Sequence, residues 1–312
     1  MKNIILLIAG IFFLTACPPG DKKGGVDIKY EMKVSVDVLD VVKDLRDLDN
    51  AELFPDGVID DGSHVRVKLF IFDDSDDSLF SEDTQIIDDF SQKATVTKSM
   101  ASGRYTIVAT ADMVENDGDK ITFQCWDFKN TASLRNFRII DLGYKGYSYK
   151  AMGVSQVTVD VNRSLSTDIK VEPVGALVTF FFQNLNISEV AYLYYAWDKV
   201  ADYYLVGDGT SNSIDNDVEN EYEVSKDYTG VYDQRYFLPV RDVSLTWGTF
   251  DKDIKVVKSN TLKFNVEKGK NITIGVDTKS GTANVSQTTR ASSTSLSGIQ
   301  GNRKKLTGKK DR

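Results

Sequence analysis

The chain has 312 residues, with 46 acidic and 38 basic side chains and a formal net charge of −8 at pH 7. This acidic balance excludes a nucleic-acid-binding role, because neutralising phosphates requires a basic surface. The chain contains two cysteines and one histidine, so metal and catalytic sites built from clusters of these residues are excluded too. The length is sufficient for two domains of ordinary size.

The first segment is an apolar run, Ile4–Ala16, which follows Lys2 and ends before two prolines. A membrane-spanning helix needs about 20 apolar residues, so this shorter run indicates a signal peptide over residues 1–16. Its last letters, LTAC, resemble the lipobox of bacterial lipoproteins. The resemblance implies cleavage between Ala16 and Cys17 and acylation of Cys17, with palmitate among the acyl groups. The alternative is a plain secretory signal with an incidental cysteine.

After a short linker over residues 17–25, the chain alternates between apolar and polar residues from Val26 to Val38. A period of two residues is the mark of a strand with one buried face, so residues 26–38 are predicted to form a long strand. Further strands are predicted, with turn-forming residues between some of them. Their sequences are HVRVKLFIF, GRYTIVATA, ITFQCWDF, SQVTVDV, ALVTFFFQNL, VAYLYYAW, QRYFLPV, VSLTWGTF, LKFNV and NITIGVD. The best candidate for a helix is the acidic segment Phe80–Ala94.

Many short strands with turns between them predict an all-β protein with two antiparallel β-sandwich domains in tandem. The segment NRSLSTDIKVEPVG separates the two sets of strands. The N-terminal sandwich is therefore predicted over residues 26–163 and the C-terminal sandwich over residues 164–280. From Gly281 onward the chain is rich in Ser, Thr, Gly and Asn and ends in basic residues. We expect residues 281–312 to form a disordered tail.

The remaining thiol and the single histidine do not indicate catalysis. With Cys17 acylated no intramolecular disulfide can form, and Cys125 shares one face of a predicted strand with Ile121 and Phe123. That placement is typical of a small buried residue. His64 lies in a turn-like segment, and neither a GxSxG nor an HExxH motif accompanies it. The sequence therefore predicts a protein that is not an enzyme and has no cofactor.

Two acidic segments contain residues that could supply oxygen ligands to calcium. One lies between Phe72 and Phe90, and the other contains Asp112, Asp117 and Asp119. Calcium takes several oxygen ligands on a flexible loop, but neither segment has the spacing of an EF-hand. The favoured interpretation is a solvated acidic surface without a metal.

Aromatic residues are concentrated in the segment YLYYAW, which contains Tyr192, Tyr194 and Trp197. These three could contact a glycan. In a strand, however, alternation directs Tyr195 and Trp197 to one face and Tyr192 and Tyr194 to the other. One of the two faces must pack in the core, so half of this aromatic set is expected to be structural.

A weak motif within GRYTIVATA points to a family. Gly103, Tyr105 and Ala109 resemble the GxYxxxA strand of transthyretin-like sandwich domains. Together with the lipobox and the long first strand, the pattern over residues 1 to 280 is similar to the fimbrillin and fimbrial-anchor lipoproteins of Bacteroidetes. The resemblance implies two transthyretin-like sandwiches, export to the outer membrane as a lipoprotein, and assembly with other fimbrial subunits in a pilus.

The resemblance also implies two classes of subunit. Stalk subunits lose their first strand to a protease, usually after an arginine, and receive a donor strand from a neighbour, whereas anchor subunits keep that strand and stay lipidated. The 26–38 strand is suited to completing its own domain, and residues 281–312 have too few alternating apolar residues for a donor. Both features favour an anchor or accessory subunit. Arg46 points the other way, because cleavage after it would release the first strand.

The leading hypothesis is therefore a structural fimbrial subunit that supports cell adhesion. It is expected in the outer membrane, anchored through acylated Cys17 and exposed at the cell surface. The alternative is a glycan-binding surface lipoprotein beside an outer-membrane nutrient transporter.

Overall fold

The structure, a computed structural model, describes residues 28–41, 63–87, 92–117, 120–142, 151–213, 218–224 and 232–289. The described residues form twenty strands in five sheets, here named A to E, and a short 3₁₀ helix at Leu134–Asn136. The predicted all-β fold class with antiparallel sandwich domains is confirmed. The predicted signal peptide, the linker after it and Arg46 lie outside the described residues.

Sheets A and B form the N-terminal sandwich. Sheet A has the order β10 (Leu165–Lys170), β1 (Lys29–Asp37), β4 (Ala94–Ala101). Sheet B has the order β3 (Ser78–Ile87), β2 (Ser63–Asp73), β5 (Gly103–Asp117), and the far side of β5 pairs with β9 (Met152–Val161) and β6 (Lys120–Gln124). The buried side chains of both sheets belong to one continuous apolar core.

The helix predicted over Phe80–Ala94 is wrong, because most of this segment is strand β3. It pairs along its length with β2, and its side chains alternate between half-buried and exposed. Its acidic residues form ion pairs with neighbouring strands, including Lys68 with Glu82 and Lys98 with Asp83 at 2.8 Å. An edge strand with one wet face tolerates such a polar sequence, which is why its apolar pattern is faint.

The predicted boundary at residues 163 and 164 is also wrong. Strand β10 pairs in parallel with β1, from Met32 opposite Leu165 to Asp37 opposite Lys170. The N-terminal sandwich therefore extends to Lys170, and the connection to the next sandwich is residues 171–175. A boundary drawn from turn-forming residues could not anticipate a pairing with a strand more than a hundred residues earlier.

Sheet C joins the two halves of the chain. Its order is β14 (Thr210–Ser211), β13 (Tyr203–Leu205), β8 (Arg138–Asp141), β7 (Trp126–Lys129). The first two strands come from the C-terminal half of the sequence and the last two from the N-terminal half. Sheet C and the 3₁₀ helix cover the outer face of sheet B. The ring centroids of Phe137 and Phe70 lie 4.6 Å apart there.

Sheets D and E form the C-terminal sandwich. Sheet D has the order β16 (Tyr232–Phe237), β11 (Ala176–Gln183), β19 (Lys270–Asp277), β20 (Thr282–Thr289). Sheet E has the order β15 (Val218–Glu223), β12 (Tyr192–Asp198), β17 (Val240–Phe250), β18 (Val256–Val266). Phe180 of sheet D contacts Tyr195 and Trp197 of sheet E, with ring centroids 4.8 and 5.9 Å apart. Aromatic contacts between the sheets thus fill this core.

The prediction of a disordered tail from residue 281 is wrong for its first part, because residues 282–289 form strand β20. This strand pairs antiparallel with β19, and Ala283 and Val285 pack against the core. Two small apolar residues on one face are sufficient for an edge strand whose other face is wet. The C-terminal sandwich therefore includes residues up to Thr289, and residues 290–312 lie outside the described part.

Candidate functional site

Strand β1 occupies the centre of sheet A. It pairs with β4 from Lys29 to Val36 and with β10 from Met32 to Asp37, so both of its edges are used. Removing a central strand exposes two unpaired strand edges with an apolar groove between them, which is the arrangement that accepts an added strand. The groove occupied by β1 is therefore the candidate functional site.

The inner face of β1 supplies Met32, Val34 and Val36, which are fully buried. At about 1.5–3 kcal/mol for each buried apolar side chain, these three contribute on the order of 5–9 kcal/mol as an upper estimate. This range is similar to the whole net stability of a typical domain. The N-terminal sandwich therefore needs either β1 or a replacement strand in the groove.

The two ends of β1 are held differently. At the C-terminal end, the Val171 amide donates to the Asp37 carbonyl at 2.8 Å, and Lys170 pairs with Asp40 at 2.8 Å. The hydrogen bond to Asp40 raises the pKa of Lys170. At the N-terminal end, Ile28 precedes the strand and is 61% exposed. The firmer attachment thus adjoins the segment that leads towards Arg46.

Asp112, a predicted calcium candidate, lies instead in a buried ion pair. Both of its carboxylate oxygens accept hydrogen bonds from Arg66, at 2.9 and 2.7 Å. Arg66 also donates to the Gln124 side chain at 2.6 Å and to the Trp126 carbonyl at 3.2 Å. Its guanidinium carbon lies 4.9 Å from the centre of the Phe128 ring.

Asp112 is therefore not a suitable calcium ligand, because its oxygens are used and the residue is fully buried, and it does not belong to the solvated acidic surface that the sequence favoured. Burial raises the pKa of Asp112, and the Arg66 charge opposes that shift. Asp117 ends strand β5, and Asp119 lies outside the described residues. Among the described residues, no three His, Cys, Asp or Glu side chains are grouped as they would be around a metal.

The predicted alternation of the aromatic segment is confirmed for strand β12. Tyr195 and Trp197 are fully buried, whereas Tyr192 and Tyr194 are half-buried on the outer face of sheet E. Trp197 is therefore wrongly predicted as a glycan contact, because it packs between the sheets of the core. Tyr192 and Tyr194 remain partly exposed.

The pairing of strands adds residues to this outer face that the sequence analysis missed. Tyr194 lies opposite Gly248 of β17 and Glu221 of β15, and Tyr192 lies opposite Phe250 and Glu223 on the same strands. These pairings place two tyrosines and Phe250 on one face beside the carboxylates of Glu221 and Glu223. Only the register between the strands could reveal it.

The remaining candidate residues lie in strands or in the core. Cys125 is buried, as predicted. His64 lies within strand β2 opposite Val114, and not in a turn. Of the family motif residues, Gly103 begins strand β5, the buried Tyr105 donates to the Ala101 carbonyl at 3.3 Å, and Ala109 is fully buried. Among the described residues, no helix is both long and apolar enough to cross a membrane.

The fold and the site define an all-β protein of two sandwiches whose first strand fills the centre of a sheet. Its sequence matches no model of a known protein family and no curated protein. Several solved structures have a similar backbone fold.

One of these is a proposed adhesin of Bacteroides thetaiotaomicron, at 11% identity and a TM-score of 0.47 over 82% of this chain and 94% of that one. Another is the tip fimbrial protein Mfa3 of Porphyromonas gingivalis, at 8% identity and a TM-score of 0.43 over 84% and 99%. A third is a proposed polysaccharide-binding protein of B. thetaiotaomicron, at 14% identity and a TM-score of 0.45 over 82% and 97%. Similarities at this level do not assign the chain to a family.

Proposed function

We propose that this chain is a membrane-anchored structural subunit of a fimbria, acting as an anchor or accessory subunit through β-strand pairing. Acylated Cys17 would hold it in the outer membrane, with its sandwiches at the cell surface and other fimbrial subunits as its partners. The observation that carries the proposal is the central place of β1, which connects the start of the sandwich directly to the segment that contains Cys17.

Two features support an anchor over a stalk subunit. Strand β1 fills its own groove with Met32, Val34 and Val36, so no donor strand is needed while it stays. Strand β20, the last described strand, is paired within its own sandwich, so it is not free to serve a neighbour. A stalk subunit would need either an empty β1 groove that receives a neighbour's strand or a free strand that it donates to a neighbour.

Processing after Arg46 would change this assignment. The cut would separate β1 and the lipid anchor from the rest of the chain, and the groove would then accept a neighbour's strand. The mass of the mature N-terminus distinguishes the two outcomes. A diacylated Cys17 supports the anchor assignment, whereas a chain that begins at Asp47 contradicts it.

The fimbrial role is tested in a deletion strain. We expect loss of the protein to alter fibre length or attachment, and Cys17→Ser to release fibres into the medium. A Cys17→Ala variant serves as a second removal of the acylation site, so both substitutions must behave alike. Normal, fully attached fibres in the deletion strain would contradict the proposal.

A second function is supported by the outer face of sheet E. Two half-buried tyrosines, Tyr192 and Tyr194, lie opposite the glutamates of β15. Such a combination suits stacking on a sugar ring and accepting hydrogen bonds from its hydroxyls. Affinity electrophoresis in neutral polysaccharides tests it. Retardation that is lost in Tyr192→Ala and Tyr194→Ala, but kept in Tyr203→Ala on sheet C, would favour this function. Unretarded migration of the wild-type protein in every polysaccharide would exclude it.

A further inference from the structure

Each sandwich pairs its first strand in parallel with a strand close to its end. In the N-terminal sandwich β1 pairs with β10 over six residue pairs, the last of which is Asp37 opposite Lys170. In the C-terminal sandwich β11 pairs with β19 over seven residue pairs, the first of which is Leu177 opposite Asn271. All other strand pairs of the described residues are antiparallel. The same arrangement thus occurs twice along the chain.

Parallel pairing decides where the chain enters and leaves the N-terminal sandwich. It enters sheet A at Lys29, the start of β1, and leaves at Lys170, the end of β10. Because the two strands are parallel and adjacent, these points lie at opposite ends of the sheet. The exit is bonded there to the end of β1, since the Val171 amide donates to the Asp37 carbonyl at 2.8 Å. Tension along the chain therefore pulls β1 and β10 in opposite directions along their own axes.

The direction of a pull determines how a pair of strands separates. A pull across the strands at one end breaks their hydrogen bonds one after another, whereas a pull along the strands strains all of them at once. Strand β1 is also bound to β4 through eight residue pairs. Its buried side chains Met32, Val34 and Val36 resist sliding as well, because a slip of one residue would turn each of them to the wrong face. A pull along β1 is therefore opposed by two ladders and the core together.

We propose that the parallel pairs β1–β10 and β11–β19 are mechanical clamps, which keep each sandwich folded when tension acts along the chain. The second clamp lies behind β20, whose Thr289 is opposite Lys270 of β19. A pull on Thr289 first peels β20 away and then acts on the far end of β19 at Asp277, opposite to the start of β11. The use of the clamps in the cell rests on the proposed attachment through Cys17, because a tethered subunit of a fibre carries load.

Single-molecule force spectroscopy tests the first clamp by pulling the same strands in two directions. The mature chain, residues 17–312 with Cys17→Ser, receives handles at pairs of introduced cysteines on exposed positions. Lys29→Cys with Lys170→Cys places the handles at opposite ends of the pair, so the pull runs along the strands. Lys29→Cys with Ser166→Cys places both near the start of β1, so the pull runs across them. The native Cys125 is buried and does not take a handle.

The two pulls act on nearly the same length of chain, residues 29–170 and 29–166, so each should release about 500 Å on unfolding. We expect the force at rupture to be at least about twofold higher for the pull along the strands, because forced unfolding follows the barrier in the direction of the load. Replacing Lys170 also removes its ion pair with Asp40, which acts against the expected result. Equal rupture forces in the two directions would overturn the proposal.

Handles at Lys29→Cys and Thr289→Cys test both clamps in one molecule. We expect two separate events at forces well above that of the pull across the strands, with releases of about 500 Å for the N-terminal sandwich and about 350 Å for residues 177–277. Release of the C-terminal sandwich at or below the force of the pull across β1 and β10 would overturn the second clamp. These measurements use purified protein, so their failure is distinct from a failure of the fimbrial role, which the deletion strain decides.

Discussion

The phenol oxygen of Tyr236 accepts a hydrogen bond from the Gly175 amide at 2.7 Å and donates one to the Met152 carbonyl at 2.8 Å. Tyr236 belongs to sheet D, Gly175 to the connection between the sandwiches and Met152 to sheet B. A tyrosine phenol is protonated at neutral pH, and burial raises the pKa of Tyr236 further, so the group can donate into the alkaline range as well. One side chain thus fixes the place where the two sandwiches meet.

Tyr236→Phe should lower the free energy of unfolding by about 1–3 kcal/mol, because it leaves the buried Gly175 amide without its acceptor. Urea unfolding followed by tryptophan fluorescence measures this, since Trp126 lies 6.2 Å from the Tyr236 ring. Tyr203→Phe, at a half-buried tyrosine of sheet C, should change stability by less than about 0.5 kcal/mol. Equal effects of the two substitutions would contradict the role given to Tyr236.

Gly153→Ala should destabilise the protein by about 1–3 kcal/mol through overpacking. A Cβ at this position would lie 2.2 Å from a methyl carbon of Val41 and 2.5 Å from one of Val171. Val41→Ala makes room on one side of the added methyl group. Gly153→Ala should therefore lower the unfolding midpoint less in the Val41→Ala background than in the wild type, as thermal unfolding of the single and double variants would show. Strictly additive effects would mean that the glycine does not serve this close approach.

Asp112→Ala should destabilise the protein by about 3–5 kcal/mol, because it leaves the buried Arg66 guanidinium without its counter-charge. The double variant Arg66→Met with Asp112→Leu should be clearly less damaging. Thermal unfolding compares the two variants. The same measurement with calcium added should show no stabilisation that depends on Asp112, and such a stabilisation would restore the metal-site interpretation.

Val34→Asp should destabilise the N-terminal sandwich by about 3 kcal/mol or more, because it places a charge in the core beneath β1. Lys33→Asp, one residue earlier on the exposed face of the same strand, is the matched control and should be nearly neutral. Limited proteolysis followed by mass spectrometry should show faster cleavage of the N-terminal half in Val34→Asp. Unchanged cleavage would mean that β1 is dispensable for its sandwich.

The turn between β19 and β20 should depend on pH through Asp277. Hydrogen bonds from the Ser280 amide and the Asn184 side chain lower the pKa of Asp277 below its ordinary 3.8. The stabilisation from the carboxylate is therefore present at neutral pH, declines below about pH 4, and is lost as the pH falls through the folded-state pKa.

Asp277→Ala should accordingly lower the unfolding midpoint at pH 7, and the difference should shrink progressively as the pH falls through the lowered folded-state pKa of Asp277 and the wild-type carboxyl becomes protonated as well. Thermal unfolding of both proteins across this range measures the difference. Asp253→Ala, in another turn on the same sandwich, is the control for a general effect of removing a surface charge. A difference that persists unchanged at low pH would contradict the assignment to the carboxylate.

The local pattern of the sequence determined the fold class and several elements. Alternation along β1 and β12 predicted which of their side chains are buried, because a strand directs successive residues to opposite faces whatever its neighbours are. The prediction fails at Ile28, which precedes the strand and is 61% exposed. Cys125 is buried as predicted, but it lies between β6 and β7 and not within the predicted strand. The faint alternation of β3 and β20 hid both strands, since edge strands need little apolar surface.

Contacts between distant segments were decided only by the tertiary structure. The pairing of β10 with β1, the joining of the two halves in sheet C and the bond from Tyr236 to Gly175 all connect parts of the chain that no local pattern relates. The same holds for Asp112, which is acidic in sequence but buried because Arg66 lies opposite it on β2. Periodicity along a chain reports burial of each strand's faces, whereas the choice of partner strand depends on the packing of the whole molecule.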